Sequence, residues 1–555
     1  MNIKKAGRGL LSNKRLVICC LIIGSIFAGT LVIGCHMSQS DSLGDNLWLT
    51  AFEVVILIPF MSCLAALVLL YYDRVSGWMR RCRAEMLFSR YMDGSRRFFL
   101  CIWILIFLFW VPMLISAFPG IYDIDGAYQI MWFRSGKISA HHPVLHTYLL
   151  GICVDFGKWL FGSDEAGLLC YSLFQMLCMS AVFAYINKQI CGRIPRVLQS
   201  ALILSYILLP YYGVLSITTT KDVLFAGIFA IWVLKTYECV TDRKSFFGSG
   251  RRQAAYVGII FLMCALRNTG YYIFLFMLFF FLLICRSYWR NILCIGLASV
   301  ILWGIFTGPV YKILGVIPGS EAEALSVPMQ QLARVMAYDG DTVSSKDREL
   351  IIQYIPDYER YTPRVSDSVK DRFNGEAFQQ NKAEFIKLWA RVGLEHPIVY
   401  LEAFLSTNIG FWYPNMRHPD EGAFLSYIVY DNTEYKGEWP EIKRTSYVSS
   451  LSEFYRDFTQ EGKYHEIPGL YVFYSAGLMF WMICLCLGIC IYKRNYMLLV
   501  PLSILVGLWG TLMLSPVVVF RYAYPLFTAF PVMLCICGEK AGAARSGDLE
   551  GRQKV

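Results

Sequence analysis

Charged side chains are scarce in this sequence. They make up 17% of its 555 residues, whereas soluble globular domains average about 25%. Hydrophobic residues reach 56%, and many apolar runs approach the roughly 20 residues that an α-helix needs to cross a bilayer. The scarcity of charge excludes a soluble protein of this length. The apolar runs predict an all-α polytopic membrane protein embedded in a lipid bilayer.

Cysteine is absent from the longest polar stretch, residues 318–468. The 19 cysteines of the chain lie almost entirely in or beside apolar runs, where a cysteine acts as a small apolar filler. A polar region without cysteine cannot hold a disulfide framework. Its length of about 150 residues is enough for a core of its own, and its apolar residues recur at helical spacing. We therefore expect a mainly helical extracytoplasmic domain.

The sequence also lacks a basic soluble segment interleaved with aromatic residues. The net charge of +10 arises from lysines and arginines in short loops between apolar runs. Such loops fix the orientation of membrane helices, because cytoplasmic loops carry an excess of basic residues. The positive net charge therefore reflects the topology of the membrane helices, and nucleic acid is excluded as a partner.

The loop charges predict about twelve transmembrane helices with both termini in the cytoplasm. The basic N-terminus and the apolar run that ends at residues 32–35 also resemble a cleaved signal peptide. We favour a retained first span, because the rest of the predicted topology is then consistent. Run 144–161 either crosses the membrane or lies in its interface. It contains Asp155 and Lys158, and the charge rule favours the interface. The predicted spans are 16–35, 51–72, 101–117, 166–185, 197–215, 223–237, 254–266, 271–285, 292–306, 470–492, 496–514 and 524–537.

This topology divides the chain into five parts. A cysteine-free outer domain and basic inner loops suit a multi-pass protein of a bacterial plasma membrane. The parts are two N-terminal spans with a basic cytoplasmic loop (1–97), a membrane core (98–317) with its first outer loop at 118–143, the extracytoplasmic domain (318–468), the C-terminal spans (469–538) and a cytoplasmic tail (539–555).

One polar stretch, residues 118–146, stands out between two apolar runs. It contains Asp123 and Asp125, followed by Tyr128 and Gln129. Ionisable groups beside hydrocarbon are costly unless they are solvated or used. A solvated turn is the plain alternative, because Asp also favours helix starts. Counting the spans places this loop outside, which makes it a candidate for half of an extracytoplasmic active site.

Three further groups fall on the same outer face. Asp222 follows three threonines at the edge of a span, and Arg267 and Arg521 stand beside apolar segments. Each has a simpler interpretation, since Asp222 can cap a helix and the arginines can reach lipid headgroups. Together they describe carboxylates opposed by guanidinium groups, which suit phosphate. A carboxylate here can act as a general base, and Asp125 with Asp222 can hold Mg²⁺ or Mn²⁺.

His141, His142 and Pro143 lie near the end of this stretch and open a helix, because proline is favourable in a first helical turn. His142 and His146 are four residues apart and can share a helical face. A zinc site would need a third ligand. The preferred interpretation is that His142, with His141 beside it, forms a hydrogen bond to a donor phosphate or to Asp125.

These residues carry a resemblance to a known group of enzymes. The stretch FPGIYDIDGAYQ, a following Gly136 and HHPVLHTYLLG resemble the first outer loop of the GT-C superfamily. These polytopic glycosyltransferases use lipid-phosphate sugars and include dolichyl-phosphate-mannose and aminoarabinose transferase-like branches. Asp125, Tyr128 and the His142 helix match in order. The Asp-to-Tyr spacing differs, Val144 replaces a second proline, and two N-terminal spans are extra.

Later segments extend the resemblance more weakly. Arg521 and Tyr522 before Pro525 resemble the segment that these enzymes place beside the lipid phosphate, and Asp222 fits a second outer acid. The stretches PMQQLARV and NIGFWYP look like those of an uncharacterised bacterial membrane family placed near GT-C.

The resemblance implies an inverting transferase. A polyprenyl-phosphate sugar would be the donor and a glycan, lipid or protein the acceptor. Asp125 would act as the base, and Asp123 and Asp222 would orient the acceptor or hold a metal. The donor phosphate and substrates would meet Arg521, Tyr522, Arg267, His142, His141, Tyr128 and Gln129. Two alternatives stay open: a transporter or flippase, and a non-catalytic assembly partner, for lipid-linked envelope glycans.

Overall fold

The computed structural model describes residues 13–81, 92–415, 429–434, 437 and 439–540. Helices make up 78% of the structure, and among these residues extended pairing is limited to isolated bridges. The all-helical fold class is therefore confirmed. The basic residues 1–12, His418 and most of the predicted tail 539–555 lie outside the described residues.

The helices of the membrane part are numbered in chain order. They are α1 Lys14–Ser40, α2 Leu47–Arg81, α3 Arg96–Ser116, α4 Ile124–Ser135, α5 Val144–Phe161, α6 Asp164–Gln189, α7 Arg196–Leu208, α8 Pro210–Ser216, α9 Lys221–Thr241, α10 Arg243–Phe247, α11 Gly250–Leu266, α12 Gly270–Ile284, α13 Trp289–Ile305 and α14 Tyr311–Ile313.

The region of residues 318–468 is here called the outer region, after the side that the sequence predicts for it, and its helices and the C-terminal helices follow. They are α15 Ser326–Tyr338, α16 Ser345–Tyr354, α17 Asp367–Lys370, α18 Gly375–Gln380, α19 Lys382–Glu395, α20 Pro397–Asn408, α21 Ser449–Tyr455, α22 Ala476–Tyr492, α23 Leu499–Leu512 and α24 Phe520–Gly538.

Eight helices among the described residues are long and apolar enough to cross a membrane. They become nine if α7 and α8, which meet at a 54° bend, count as one span. Helices α12, α22 and Tyr496–Leu512, which contains α23, are apolar but shorter. The chain is thus a multi-pass helical membrane protein, while the predicted number of twelve spans is not confirmed.

Helices α9 and α24 form the centre of the bundle. In α9, 72% of the most apolar window is buried, and in α24 78%, against only 22% in α2. A helix that is apolar all round and buried belongs to the interior, whereas α2 turns an apolar surface outward, as a lipid-facing helix does. The first residues of α9 and α24 carry the charges described below.

The bundle has one end rich in basic residues, here called the basic end. Nη1 of Arg80, near the end of α2, donates to the Gly192 carbonyl at 3.2 Å. Nζ of Lys493 lies 2.6 Å from Asp73 and donates to the carbonyl of Cys537, near the end of α24, at 2.9 Å. Helix α9 reaches this end at Tyr237, whose hydroxyl accepts from Arg193 at 3.0 Å. Helices α9 and α24 therefore begin at the opposite end.

Helix α5 has both of its ends away from the basic end. It starts just after His142, which lies beside Lys221 at the start of α9. At the other end, Arg134 binds Asp155 of α5 at 2.9 Å and Asp164, the first residue of α6, at 2.6 Å. Since α6 runs from Asp164 toward the basic end, α5 does not connect the two ends. Its length and composition would allow a span, and the choice between a span and an interfacial helix stays a prediction.

The outer region has its own hydrophobic core, formed by buried residues between Met329 and Tyr400. Residues of the same predicted domain beyond it, such as Tyr430 and Tyr464, pack with the membrane helices instead. Arg334 is 2% exposed. It binds Asp41, which follows α1, at 2.6 Å and Glu402 at 3.1 Å. The N-terminal hairpin of α1 and α2 therefore anchors the outer region to the bundle.

Candidate functional site

Two loops that are distant in sequence lie side by side where α4 and α9 begin. The backbone N–H of Ile121 donates to the Ile217 carbonyl at 2.8 Å, and that of Thr219 donates to the Ile121 carbonyl at 3.0 Å. The N–H of Asp123 donates to Oγ1 of Thr219 at 2.9 Å. Gly126 permits this approach, because a Cβ atom there would lie 2.2 Å from Oγ1 of Thr219. The contact brings the two predicted acidic loops together.

Arg521, in the first turn of α24, contacts all three predicted carboxylates. Its Nη1 binds Oδ2 of Asp123. Its Nη2 lies 3.2 Å from Oδ2 of Asp125, and its Nε lies 3.7 Å from Oδ2 of Asp222. Nη1 also donates to Oγ1 of Thr220 at 3.4 Å. Asp125, Asp222 and Arg521, which the sequence places on one face, therefore meet at one place in the structure.

Two further cations complete the group. Nζ of Lys221 lies 2.8 Å from Oδ2 of Asp125, and Nη1 of Arg267 lies 3.1 Å from Oδ1 of Asp222. The contact between Arg267 and Asp222 is an ion pair that lacks hydrogen-bond alignment. Six residues with balanced formal charges thus meet at one place. We call them the charge cluster: Asp123, Asp125, Asp222, Lys221, Arg267 and Arg521.

Aromatic rings fix the guanidinium group of Arg267. Its Cζ lies 4.9 Å from the ring centre of Tyr522 and 5.5 Å from that of Phe225. Cζ of Arg521 lies 5.6 Å from the same Tyr522 ring. A guanidinium group is attracted to the face of an aromatic ring. Tyr522 therefore stands beside both arginines, next to the charge cluster.

Helix polarity explains why these cations need carboxylates. Lys221 is the first residue of α9, and Arg521 is the second of α24. The start of a helix carries partial positive charge, which disfavours cations and favours anions. Asp123 precedes α4, and Asp125 lies in its first turn, where acids are favourable. The starts of α4, α9 and α24 lie together in the structure. The carboxylates there neutralise the cations that the helix dipoles of α9 and α24 disfavour.

Burial and charge act in opposite directions on Asp123 and Asp125. Burial disfavours ionisation of Asp125, but Arg521, Lys221 and His142 outweigh it and hold the pKa of this carboxyl well below its usual range. Burial raises the pKa of Asp123, although Arg521 acts to lower it. Desolvation penalises a charged carboxylate and nearby cations favour it. Asp125 is therefore the more firmly ionised carboxylate of the two.

His142 lies against Lys221 and is itself buried. Its Nδ1 accepts from Nζ of Lys221 at 3.1 Å, because an ammonium group can only donate. Its Nε2 faces Oδ1 of Asp125 at 3.9 Å. Burial and the charge of Lys221 hold the pKa of His142 well below its usual value. His142 is therefore neutral and orients the lysine, whereas the sequence predicted a hydrogen bond to a donor phosphate or to Asp125.

Gln129 lies outside the charge cluster. Its Nε2 donates to Thr147 at 3.0 Å, and its Oε1 lies 3.0 Å from Nδ1 of His146. Nε2 of His146 lies 2.7 Å from the hydroxyl of Tyr171, which donates to Gln175. These buried polar groups join α4, α5 and α6. Gln129 and His146 hold the helices that carry the cluster, whereas the sequence predicted a substrate contact for Gln129.

Tyr128 and His141 lie at the edge of the site. Tyr128 is 37% exposed and packs against the rings of Trp132 and Trp439. Nδ1 of His141 lies 3.8 Å from Glu323 at the start of the outer region. No ion pair or side-chain hydrogen bond of the described residues joins Tyr128 or His141 to the charge cluster. Both stand beside it, between α4 and the outer region.

The sequence reasoning missed Lys221, the direct partner of Asp125. The signal was present in the turn SITTTKD, because a lysine at a helix start opposes the helix dipole and therefore needs a compensating anion. The neighbouring Asp222 is the residue of that turn that the sequence predicts for the site.

The cluster as arranged does not fit a resident divalent cation. Oxygens of Asp125 and Asp222 already face the nitrogens of Lys221, Arg267 and Arg521, and a metal ion would have to displace these positive groups. The described residues contain no group of three or more His, Cys, Asp or Glu side chains suited to a metal. The divalent cation stays a prediction.

The chain was compared with known protein families, curated proteins and solved structures. Residues 127–548 match the family of unknown function DUF6020. No curated protein matches the chain, and no solved structure matches it. The matched range contains Lys221, Asp222, Arg267 and Arg521, and it begins shortly after Asp125. Because the match covers well over half of the sequence, the chain belongs to the DUF6020 family.

Proposed function

We propose that this protein is a membrane glycosyltransferase. It would transfer a sugar from a polyprenyl-phosphate donor to an acceptor on the extracytoplasmic face, where the acceptor is a cell-envelope glycan, a lipid or a protein. The observation that carries the proposal is the contact of Arg521 with Asp123, Asp125 and Asp222 at one end of the bundle. The likeness of the first outer loop to GT-C enzymes supports it.

The donor phosphate would bind to the arginines of the cluster. The guanidinium fork of Arg521 matches phosphate geometry, and Arg267 stands nearby with its plane supported by Tyr522. In the resting arrangement these groups neutralise carboxylates. An arriving phosphate would compete for them, so that binding of the donor would loosen the contact between Arg521 and Asp125.

Donor binding would make Asp125 a stronger base. Asp125 held by Lys221 and Arg521 is a weak base, because its pKa lies well below the usual range. A phosphate that draws Arg521 away would raise this pKa, and a base is most effective when its pKa approaches the working pH. The carboxylate would then serve as base only when the donor is present.

The reaction step follows from these positions. Asp125 would take the proton of an acceptor hydroxyl, while the acceptor oxygen forms a bond to the anomeric carbon. The bond from that carbon to the phosphate oxygen would break, and the electron pair would leave with polyprenyl phosphate, which the arginines neutralise. Attack opposite the leaving group inverts the anomeric centre. Asp123 and Asp222 would orient the arginines and the acceptor.

Replacement of Asp125 tests this proposal. Membranes that contain the wild-type protein or Asp125→Asn would receive a radiolabelled polyprenyl-phosphate sugar, and labelled product would be measured. We expect transfer to fall by about 10²-fold or more, the contribution of a general base. Asp155→Asn is the matched control, because Asp155 pairs with Arg134 at the far end of α4. Full transfer by Asp125→Asn would show that the mechanism is wrong.

A further inference from the structure

Aromatic rings line the face of α4 that leads away from Asp125. Tyr128 and Trp132 follow Asp125 by three and seven residues, so the three side chains share one stripe of the helix. The ring centres of Tyr128 and Trp132 are 5.8 Å apart, and Trp439 of the outer region lies 5.0 Å from Tyr128. We call these three residues the aromatic platform. Tyr128 is 37% exposed and therefore open to a ligand.

The platform is continuous with the charge cluster. The ring centre of Trp132 lies 5.3 Å from that of His142, and Nε2 of His142 lies 3.9 Å from Asp125. His141 closes the same side, with its ring centre 4.7 Å from that of His142. His142 therefore joins the platform to Asp125, and a ring-shaped ligand on Tyr128, which is one helical turn from Asp125, would lie at the edge of the charge cluster.

We propose that the aromatic platform is the acceptor subsite and that the acceptor is a carbohydrate. This inference rests on the proposed function and narrows its acceptor from glycan, lipid or protein to glycan. One face of a pyranose ring carries mainly C–H groups, which pack on the face of an aromatic side chain, while its edge carries hydroxyl groups. A sugar on Tyr128 and Trp132 would present a hydroxyl group to Asp125. This hydroxyl is the group that must lose its proton in the reaction.

The rim of the platform favours a sugar over a lipid chain. His141 faces Glu323 at 3.8 Å, and Glu323 lies 3.1 Å from Lys370. With Asp125 at the opposite edge, these groups can exchange hydrogen bonds with hydroxyls. An acyl or prenyl chain would remove the same polar groups from water without replacing their hydrogen bonds, which is costly. Apolar faces bordered by a few polar groups are typical of small-ligand sites.

Direct binding of saccharides tests the inference without any donor. Purified protein in lipid nanodiscs would be mixed with disaccharides of glucose, galactose, N-acetylglucosamine and rhamnose, and with a peptide and a glycerol-phosphate oligomer as comparison ligands. Saturation-transfer NMR would measure binding. We expect at least one disaccharide to bind through the C–H protons of one ring face. We also expect about tenfold weaker binding in Tyr128→Ala and in Trp132→Ala, the loss expected for one aromatic contact.

Two variants separate stacking from folding defects. Trp132→Phe keeps a ring and should retain most of the binding. Trp159→Ala removes an aromatic side chain that is 79% exposed on α5, and it should bind as the wild type does. The inference is overturned if no disaccharide binds, if binding is unaffected by Trp132→Ala, or if the peptide or glycerol-phosphate oligomer binds with the same dependence on Trp132. Because no donor is present, saccharide binding can succeed even if glycosyl transfer fails, and the reverse also holds.

Discussion

Nζ of Lys221 lies 2.8 Å from Oδ2 of Asp125, although the two residues are 96 positions apart in the sequence. The lysine starts α9, and the aspartate lies in the first turn of α4. Their contact closes the charge cluster on the side that faces His142. It also fixes the protonation state of Asp125 before any substrate binds, because a nearby ammonium group favours the ionised carboxylate.

Replacement of Lys221 by glutamine should shift the pH dependence of sugar transfer. Lys221 contributes to the low pKa of Asp125, so its loss would raise that pKa. Asp125 would then become protonated at a higher pH during acidification, and the acid limb of the transfer rate would move to higher pH. The measurement is the initial rate of transfer between pH 4 and 8.

The matched control is Lys158→Gln. Lys158 binds Asp164 at 3.3 Å and is half exposed, outside the charge cluster. Its replacement should leave the acid limb where it is in the wild type. An unshifted profile in Lys221→Gln would show that the lysine does not set the ionisation of Asp125.

His142→Asn should reduce the loss of stability at acidic pH. The pKa of His142 in the folded protein lies well below 6.5, its usual value. Below about pH 6.5 the unfolded chain therefore binds a proton that the folded chain does not bind, and stability falls by up to about 1.4 kcal/mol per pH unit. Asparagine can still accept from Lys221 but does not titrate.

Thermal unfolding in detergent between pH 7.5 and 5 provides the measurement. The melting temperature of His142→Asn should fall less steeply than that of the wild type. His141→Asn serves as the control, since His141 is the exposed neighbour. Parallel curves for the wild type and His142→Asn would contradict the assignment of a neutral, buried imidazole.

Gly126→Ala should separate the two loops of the site. The added Cβ would lie 2.2 Å from Oγ1 of Thr219 and 2.9 Å from its carbonyl oxygen. Overpacking of this kind costs about 1–3 kcal/mol, and it would move Asp123 and Asp125 away from the start of α9. We expect a lower melting temperature together with a large loss of transfer.

Gly258→Ala is the control for this substitution. Gly258 lies within α11 with open space around its Cβ position, and alanine is the better helix former. Its melting temperature and its transfer rate should match those of the wild type or exceed them. Unchanged transfer by Gly126→Ala would mean that the approach of the two loops is not needed for activity.

Chelation of metal ions tests the predicted Mg²⁺ or Mn²⁺. The carboxylates face Lys221, Arg267 and Arg521, so we expect transfer to persist in excess EDTA. Loss of transfer in EDTA, with recovery on addition of Mn²⁺ or Mg²⁺, would support a cation held by Asp125 and Asp222. In that case the arginines would have to leave the carboxylates in the active state.

The position of the cluster at one end of the bundle was predictable from the sequence. Basic loops alternate along the chain with loops of low basic charge, and the basic loops all lie at the same end of the bundle. This rule placed the loop of Asp125, Asp222 and Arg521 on one face. The contacts of Arg521 were not predictable, because they depend on how α4, α9 and α24 pack. The same limit explains why the sequence did not predict the place of Gln129. Its neighbour Tyr128 faces outward, while Gln129 itself faces α5.

The number of spans shows a different limit of the sequence. Length and apolarity identify helices but do not tell whether a helix connects the two ends of a bundle. In α5 the deciding feature is Arg134, which binds Asp155 and Asp164. These contacts hold the turn from α5 to α6 away from the basic end, on the same side as the start of α5. Such a contact between three helices carries no local sequence signal.

Analysis of both products in one reaction tests the central claim most directly. The purified protein in sealed proteoliposomes would receive a polyprenyl-phosphate sugar and an acceptor, and the released lipid, the new glycosidic bond and the side of the bilayer that holds the lipid would be measured together. We predict one polyprenyl phosphate released for each sugar transferred, an inverted anomeric configuration, and loss of both products in Asp125→Asn. Intact lipid-sugar recovered in full, or moved across a bilayer without release of polyprenyl phosphate, would contradict the account.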